Sequence, residues 1–346
     1  MPILISGNDS LPRFETIVIG NVMQRTVRTE NLKIGMYVIL PVSWLSHPFV
    51  KNEFLIKSKD QIKKIYDYGL AEIIVDTKRS TFTEAKDKPD TEPEKTPEPL
   101  SRKIVPDELM EAIHDAKLPP LEKAKAVQAH SFTLISNLLE NPTAENIRDA
   151  KKGIAEVVDL ILTDDKTSLY LLSITSHDFY TYTHSVNVGF LAVSLSKALF
   201  NKSTGHDMHE LGAGFFLHDL GKVKIDTAII NKPGKLTVEE MNAMKQHPSM
   251  GYNVLHDTNQ LTPECKKVVL QHHERYDGKG YPYGLKGDDI HLYGKICSIA
   301  DVFDALTSDR PYRQKLEPFN ALRIMKEEMI DHFHRDIFEQ FVLLLK

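Results

Sequence analysis

The apolar positions of this chain follow two different rhythms. Near the N-terminus, short apolar runs stand between turn residues. GMYVIL at 35–40 and EIIVDT at 72–77 read as strands. Between them, SKDQIKKIYDYGL places Ile62, Ile65 and Tyr66 at spacings of three and four, with Gly69 just past the end. That spacing predicts a short amphipathic helix with a glycine stop. Together these segments predict a small α/β module within residues 1–80, whose first 25 residues form a poorly patterned leader. From about residue 105 the rhythm becomes helical. PDELMEAIHDA, EKAKAVQAHSFTLISNLLE, TAENIRDAKKGIAEVVDLIL and TYTHSVNVGFLAVSLSKALF all repeat apolar residues at helical spacing, and strand-like alternation is scarce through to 346. The expected fold class is mainly α, with one large all-helical domain over 104–346 behind the small α/β module.

The segment between them, 81–103, carries Pro89, Pro93, Pro97 and Pro99 among charges and threonines. It cannot bury enough apolar surface to order itself and reads as a linker, extended where the prolines cluster. Composition adds little beyond exclusions. Hydrophobic residues make up 41% and charged residues 26%, and a net charge of -5 argues for no nucleic-acid polymer as partner. Two cysteines, Cys265 and Cys297, exclude a disulfide framework. No basic region precedes an apolar core at the start, and no apolar run reaches the ~18–20 residues of a membrane helix. A soluble, cytoplasmic protein is the expectation.

Histidine changes the picture. Ten of the 15 histidines lie between His177 and His291. In FFLHDLGKVKID, His218 and Asp219 are adjacent in a segment expected to be a helix ending near Gly221, and Lys222 follows at offsets of four and three. Imidazole and carboxylate are both metal ligands, a carboxylate can bridge two ions, and a nearby lysine suits an anionic substrate. Further candidate ligands stand on other segments: His184, His247, the adjacent His272 and His273 in QHHERYDGKGYP, and Asp301 after an apolar run. Five histidines and two aspartates exceed the needs of one ion. They suit two divalent transition ions, such as iron, manganese, nickel or zinc, sharing Asp219. Each residue also has an ordinary reading: His184 as a core histidine, His247 as a helix start before Pro248, Asp301 as a capping or ion-paired acid. His114, His130, His206, His209, His256, His332 and His334 are assigned no role. Glu274 reads either as an acid orienting an imidazole or as a helix-end charge.

HDLGK at 218–222, followed by HHERYDGKGYP at 272–282, resembles the HD-GYP branch of the HD phosphohydrolases. YTYTHSVNV, QHP and ADVFDALTSDRPYR stand in the order the family shows, and the resemblance covers roughly 120–342. Residues 27–77 resemble a domain of unknown function that often precedes HD-GYP domains. The resemblance implies a cyclic di-GMP phosphodiesterase that yields pGpG and, in many members, GMP. It implies metal ligation by His184, His218, Asp219, His247, His272, His273 and Asp301, with iron or manganese favoured and a metal-bound hydroxide as nucleophile. It implies catalytic roles for Asp219 and Lys222, with Lys222, Tyr281, Arg310 and Arg313 contacting the substrate. Members with a third metal carry a glutamate where this chain has Tyr180, so two metals are expected. The GYP loop reads as a wall of the substrate groove or as a structural turn, and the resemblance also implies a surface for diguanylate-cyclase-type partners. Alternative readings are a 3′,3′-cyclic GMP-AMP phosphodiesterase, a weakly catalytic cyclic-dinucleotide receptor, and a generic HD nucleotidase. A homodimer stays open, and the 27–77 module reads as regulatory.

Overall fold

A computed structural model describes residues 18–19, 22–40, 53–67, 72–77, 79–81, 103–174, 181–200, 203, 205–230, 232, 234–308 and 315–346. The chain divides into two compact units, Met1–Thr96 and Pro97–Lys346. That division falls inside the proline-rich stretch, most of which lies outside the described residues.

The first unit holds strands β1 (Val18–Ile19), β2 (Val22–Arg28), β3 (Tyr37–Ile39), β4 (Glu53–Leu55) and β5 (Glu72–Asp76), with helix α1 (Lys59–Asp67) between β4 and β5. The strand order is β1-β2-β5-β3-β4, and every neighbouring pair is antiparallel. Val38 lies opposite Val75, and these two bury with Ile73, Ile56 and Ile65 in a core of their own. On α1 the buried side is Ile65, packed with Ile62. Tyr66 is 64% exposed and leaves the apolar stripe that the spacing had given it. The leader expected over 1–25 is also shortened, because β1 and most of β2 fall inside it. VMQRTVR alternates poorly, and its strand state comes from pairing with β5.

The second unit is helical throughout: α2 (Asp107–His114), α3 (Pro120–Glu140), α4 (Ala144–Thr163), α5 (Asp165–Ser173), α6 (Thr181–Phe200), α7 (Met208–Phe216), α8 (Thr227–Ile230), α9 (Val238–Met244), α10 (His247–Asp257), α11 (Pro263–Gln271), α12 (Leu292–Thr307), α13 (Pro318–Glu327) and α14 (Arg335–Leu344). Side chains end these helices where the sequence supplies them. Thr143, Asp207 and Thr262 cap α4, α7 and α11, and Thr237 with Glu240 forms a capping box on α9. Among the described residues no helix is long and apolar enough to cross a membrane.

Helix α6 runs through the middle of this unit. Val186, Val188, Phe190, Leu191, Val193 and Leu195 are all fully buried, so this stretch of the helix is buried on all sides. Each such side chain contributes roughly 1.5–3 kcal/mol on burial. Polar residues on that helix, His184 and Asn187 among them, are therefore cut off from bulk water.

A close approach positions the rest of the site. The 3₁₀ turn Leu220–Lys224 packs directly on the start of α10. A Cβ on Gly221 would lie 1.9 Å from the His247 carbonyl oxygen and 2.4 Å from the Gly251 nitrogen. Both are backbone atoms, so neither can swing aside. We expect Gly221→Ala to destabilise the protein by about 1–3 kcal/mol or more in chemical denaturation, whereas Gly205→Ala, which meets only the Ser203 hydroxyl at 3.6 Å, should unfold close to wild type.

Candidate metal centre

Four segments and α6 converge on one buried point. His184 comes from α6. His218 and Asp219 come from the turn after α7, which ends at Phe216 rather than near Gly221. His247 opens α10, His272 caps the end of α11 with His273 next to it, and Asp301 lies in the middle of α12. The break after α7 brings Lys222 back over Asp219: in a 3₁₀ turn residues three apart eclipse, and Lys222 Nζ lies 2.5 Å from Asp219 Oδ2.

The histidines are oriented by backbone. His218 Nδ1 donates to the Phe215 carbonyl at 2.8 Å, His247 Nδ1 to the Met244 carbonyl at 2.8 Å and His272 Nδ1 to the Val269 carbonyl at 3.0 Å. A carbonyl only accepts, so each Nδ1 carries a proton, and in the neutral ring Nε2 is then the lone-pair atom. Those lone pairs point at one another and at Asp219. His247 Nε2 and His272 Nε2 are 3.1 Å apart, and His247 Nε2 is 3.2 Å from Asp219 Oδ1. His218 Nε2 and Asp219 Oδ1 are buried without a hydrogen-bond partner. Lone pairs facing lone pairs in an apolar core are unfavourable unless a cation sits between them.

Donor atoms fall into two groups, each within 4.8 Å: Asp219, His247, His272 and His273 in one, and His184, His218 and Asp219 in the other. Asp219 belongs to both. Asp301 lies between the ends, with Oδ1 3.1 Å from His184 Nε2 and Oδ2 3.3 Å from His273 Nδ1. This donor set fits two divalent cations sharing one carboxylate. Neither cysteine belongs to it, and burial raises the thiol pKa of both, that of Cys265 to about 11.

The charges agree with that reading. Burial works against the Asp219 carboxylate, yet the Lys222 cation and the surrounding imidazoles hold it well below the usual carboxylate range. Burial and the neighbouring histidines push His272 well below its ordinary value, and burial takes His273 down to about 3, so both stay neutral at pH 7. His184 is the exception. Burial opposes its charge, but Asp301 and Asp304 raise it to about 9.

Asp304 was not singled out in the sequence. Its Oδ2 accepts from His184 Nδ1 at 2.7 Å, and its Oδ1 accepts from Asn187 Nδ2 at 2.8 Å. It is 1% exposed and aims the His184 Nε2 at the carboxylates. The available signal was its offset of three from Asp301 on a helix, which puts both acids on one face.

The sequence profile of the HD domain family matches residues 170–337, and that of a domain of unknown function, DUF3391, matches 24–157. A cyclic di-GMP phosphodiesterase of Pseudomonas aeruginosa is 32% identical over 329 residues, covering 92% of this chain and 76% of its own length. The chain belongs to the HD-GYP family. Two further relatives match over shorter lengths. A cyclic di-GMP phosphodiesterase of Thermotoga maritima is 33% identical, over 60% of this chain and 54% of its own. A 3′3′-cGAMP-specific phosphodiesterase of Vibrio cholerae is 41% identical, over 36% of this chain and 24% of its own. The solved structure of an HDG"Y"P protein from Bdellovibrio bacteriovorus has a TM-score of 0.60 at 16% identity, over 93% of this chain and 99% of that one, a likeness of fold.

In this HD-GYP chain, Tyr281 lies with its ring 4.7 Å from that of His273, and its N–H donates to the His273 carbonyl at 3.1 Å. Burial and the Asp301 and Asp219 carboxylates raise its phenol far above the ordinary value, so it stays neutral. Arg310, Arg313 and Tyr180 lie outside the described residues. Glu274 neither orients an imidazole nor ends a helix. It is 1% exposed, and its carboxylate accepts from the backbone N–H groups of Tyr283 at 2.7 Å and Leu285 at 2.9 Å, so it pins the GYP loop. Glu274→Gln leaves one of those donors facing an amide NH₂. We expect it to cost about 1–3 kcal/mol of stability and to speed hydrogen exchange at the Tyr283 and Leu285 amides, as read by NMR.

Proposed function

We propose that the protein is a metal-dependent phosphodiesterase that opens cyclic di-GMP to linear pGpG at a centre of two divalent cations sharing Asp219. The observation that carries this is the meeting of unprotonated Nε2 atoms around a doubly used carboxylate. Iron or manganese suits a set of imidazoles and carboxylates without thiolate.

Two bound divalent ions supply Lewis acidity at the phosphoryl oxygens and a water activated at neutral pH. The chain's own residues do the rest. His184, His218, His247, His272, His273, Asp219 and Asp301 would hold the ions. Asp304 fixes the tautomer and direction of His184. Lys222, beside Asp219, carries a positive charge that offsets the charge gathering on the phosphodiester as its P–O3′ bond breaks. Water's oxygen ends on phosphorus, and the 3′ oxygen leaves and takes up a proton. Tyr281 covers His273, and we assign Tyr281, Arg310 and Arg313 to contact with the substrate.

A second reading is favoured by a specific finding, the Vibrio cholerae relative named as specific for 3′3′-cGAMP. Turnover of the two cyclic dinucleotides side by side separates them. A faster rate on cyclic di-GMP is the result expected here, and binding of either without turnover in metal-loaded protein would make the chain a receptor. Protein purified without oxygen should carry about two metal ions per chain by elemental analysis, as the shared-carboxylate reading requires. Asp219→Ala should lose metal and turnover together, and retention of both would overturn the assignment. Asp304→Asn leaves two donors, His184 Nδ1 and Asn187 Nδ2, competing for one oxygen. We expect it to weaken metal affinity about 10–100-fold in chelator competition.

A further inference from the structure

Beyond the candidate ligands, Lys245 lies close to the centre with no assigned task. Lys245 is the residue after α9, two before His247. Its backbone is held from both sides. Its N–H donates to the Met241 carbonyl at 2.9 Å, and the carbonyl of its neighbour Met244 accepts from His247 Nδ1 at 2.8 Å. The side chain therefore starts from backbone that is tied to a metal-ligand candidate.

The head of Lys245 lies over the ring of Tyr281, with Nζ 5.6 Å from its centroid. The same ring lies 4.7 Å from His273 and 6.3 Å from His247. Tyr281 thus neighbours both the imidazoles and the ammonium. Lys222, Lys232 and Lys295 each pair with an acid: Lys222 with Asp219, Lys232 with Glu240 and Lys295 with Asp288. Lys245 has no acidic partner among the described residues. Even Glu240, on the same short helix, is taken by Lys232 and the Thr237 backbone. A half-buried ammonium with a π-face below and no counter-ion is suited to an anion arriving from solvent.

We propose that Lys245 binds the second phosphodiester of the cyclic dinucleotide, the one not being cut. This rests on the function proposed above. A cyclic dinucleotide carries two phosphodiesters on one ring. When one is at the carboxylates beside Lys222, the other is held away from them by the sugar and base units. Lys245, which shares the Tyr281 ring with the imidazoles, is placed for that second charge. It contacts the group in ground state and transition state alike, so it governs binding more than chemistry.

Lys245→Gln tests this, because the substitution removes the charge at a half-buried surface position and keeps a polar chain. In metal-loaded protein the KM for cyclic di-GMP should rise about tenfold while kcat changes less than about twofold, as expected for loss of one charge-assisted contact. Lys245→Arg should return the KM to within about threefold of wild type, since it restores a cation. For bis(4-nitrophenyl) phosphate, which has a single phosphodiester, the KM should rise less than about twofold. Affinity for a hydrolysis-resistant phosphorothioate of cyclic di-GMP, measured by calorimetry, should fall by the same factor as the KM rises. An unchanged KM and affinity, or equal losses on both substrates, would overturn the assignment. Wild-type protein that neither binds nor cuts a cyclic dinucleotide would overturn the proposed function, and this proposal with it. Wild-type turnover combined with a wild-type-like Lys245→Gln would overturn only the role of Lys245.

Discussion

The helical unit is organised around lone pairs that it keeps bare. Five imidazoles and two carboxylates are held in or beside an apolar core, and three of the imidazoles direct an Nδ1 proton at a backbone carbonyl. Burying unpaired acceptors is expensive. The cost is accepted at one point, Asp219, where Lys222 supplies a counter-charge and neutral histidines supply donor atoms. Everything around that point is arranged to keep it fixed: a helix buried on all sides carries His184, a glycine contact locks the Asp219 turn onto the His247 helix, and Asp304 braces His184 from behind.

Much of this was legible in the sequence because its signals are local. Helical periodicity located α2, α3, α4 and α6, and the runs at 35–40 and 72–77 located β3 and β5. The candidate ligands stood out because histidine next to aspartate, and histidine next to histidine, are unusual beside apolar runs. What escaped the sequence depends on distant partners or on fine backbone state. β2 has poor alternation and exists by pairing with β5. Tyr66 obeys helical spacing yet faces solvent, because only the Ile65 side of α1 joins the core of the first unit. The helix expected through His218 and Asp219 stops at Phe216 and tightens into a 3₁₀ turn, a difference of hydrogen-bond register that composition does not encode. Glu274 needed a loop nine and eleven residues downstream to fold back onto it before its role could be read.

The GYP loop joins the two halves of the argument. Its glycines permit a tight return: a Cβ on Gly280 would meet the Arg275 nitrogen at 2.4 Å, and Gly278 takes a φ of +80°. Glu274 ties the far side of the loop, and the Tyr281 N–H ties the near side to His273. The loop is therefore a structural turn whose tyrosine is set against a metal-ligand candidate. Of the two readings that the sequence left open, these hydrogen bonds support the structural turn, and the groove wall belongs to the proposed function.

The claim on which this account depends is that Asp219 is shared by two cations. Anomalous diffraction from crystals of anaerobically purified protein, recorded at the iron and manganese absorption edges, tests it most directly. The account predicts two anomalous peaks, one among His184, His218 and Asp219 and the other among Asp219, His247, His272 and His273, each within coordination distance of a different Asp219 oxygen. A single peak, or peaks that leave Asp219 unligated, would contradict it.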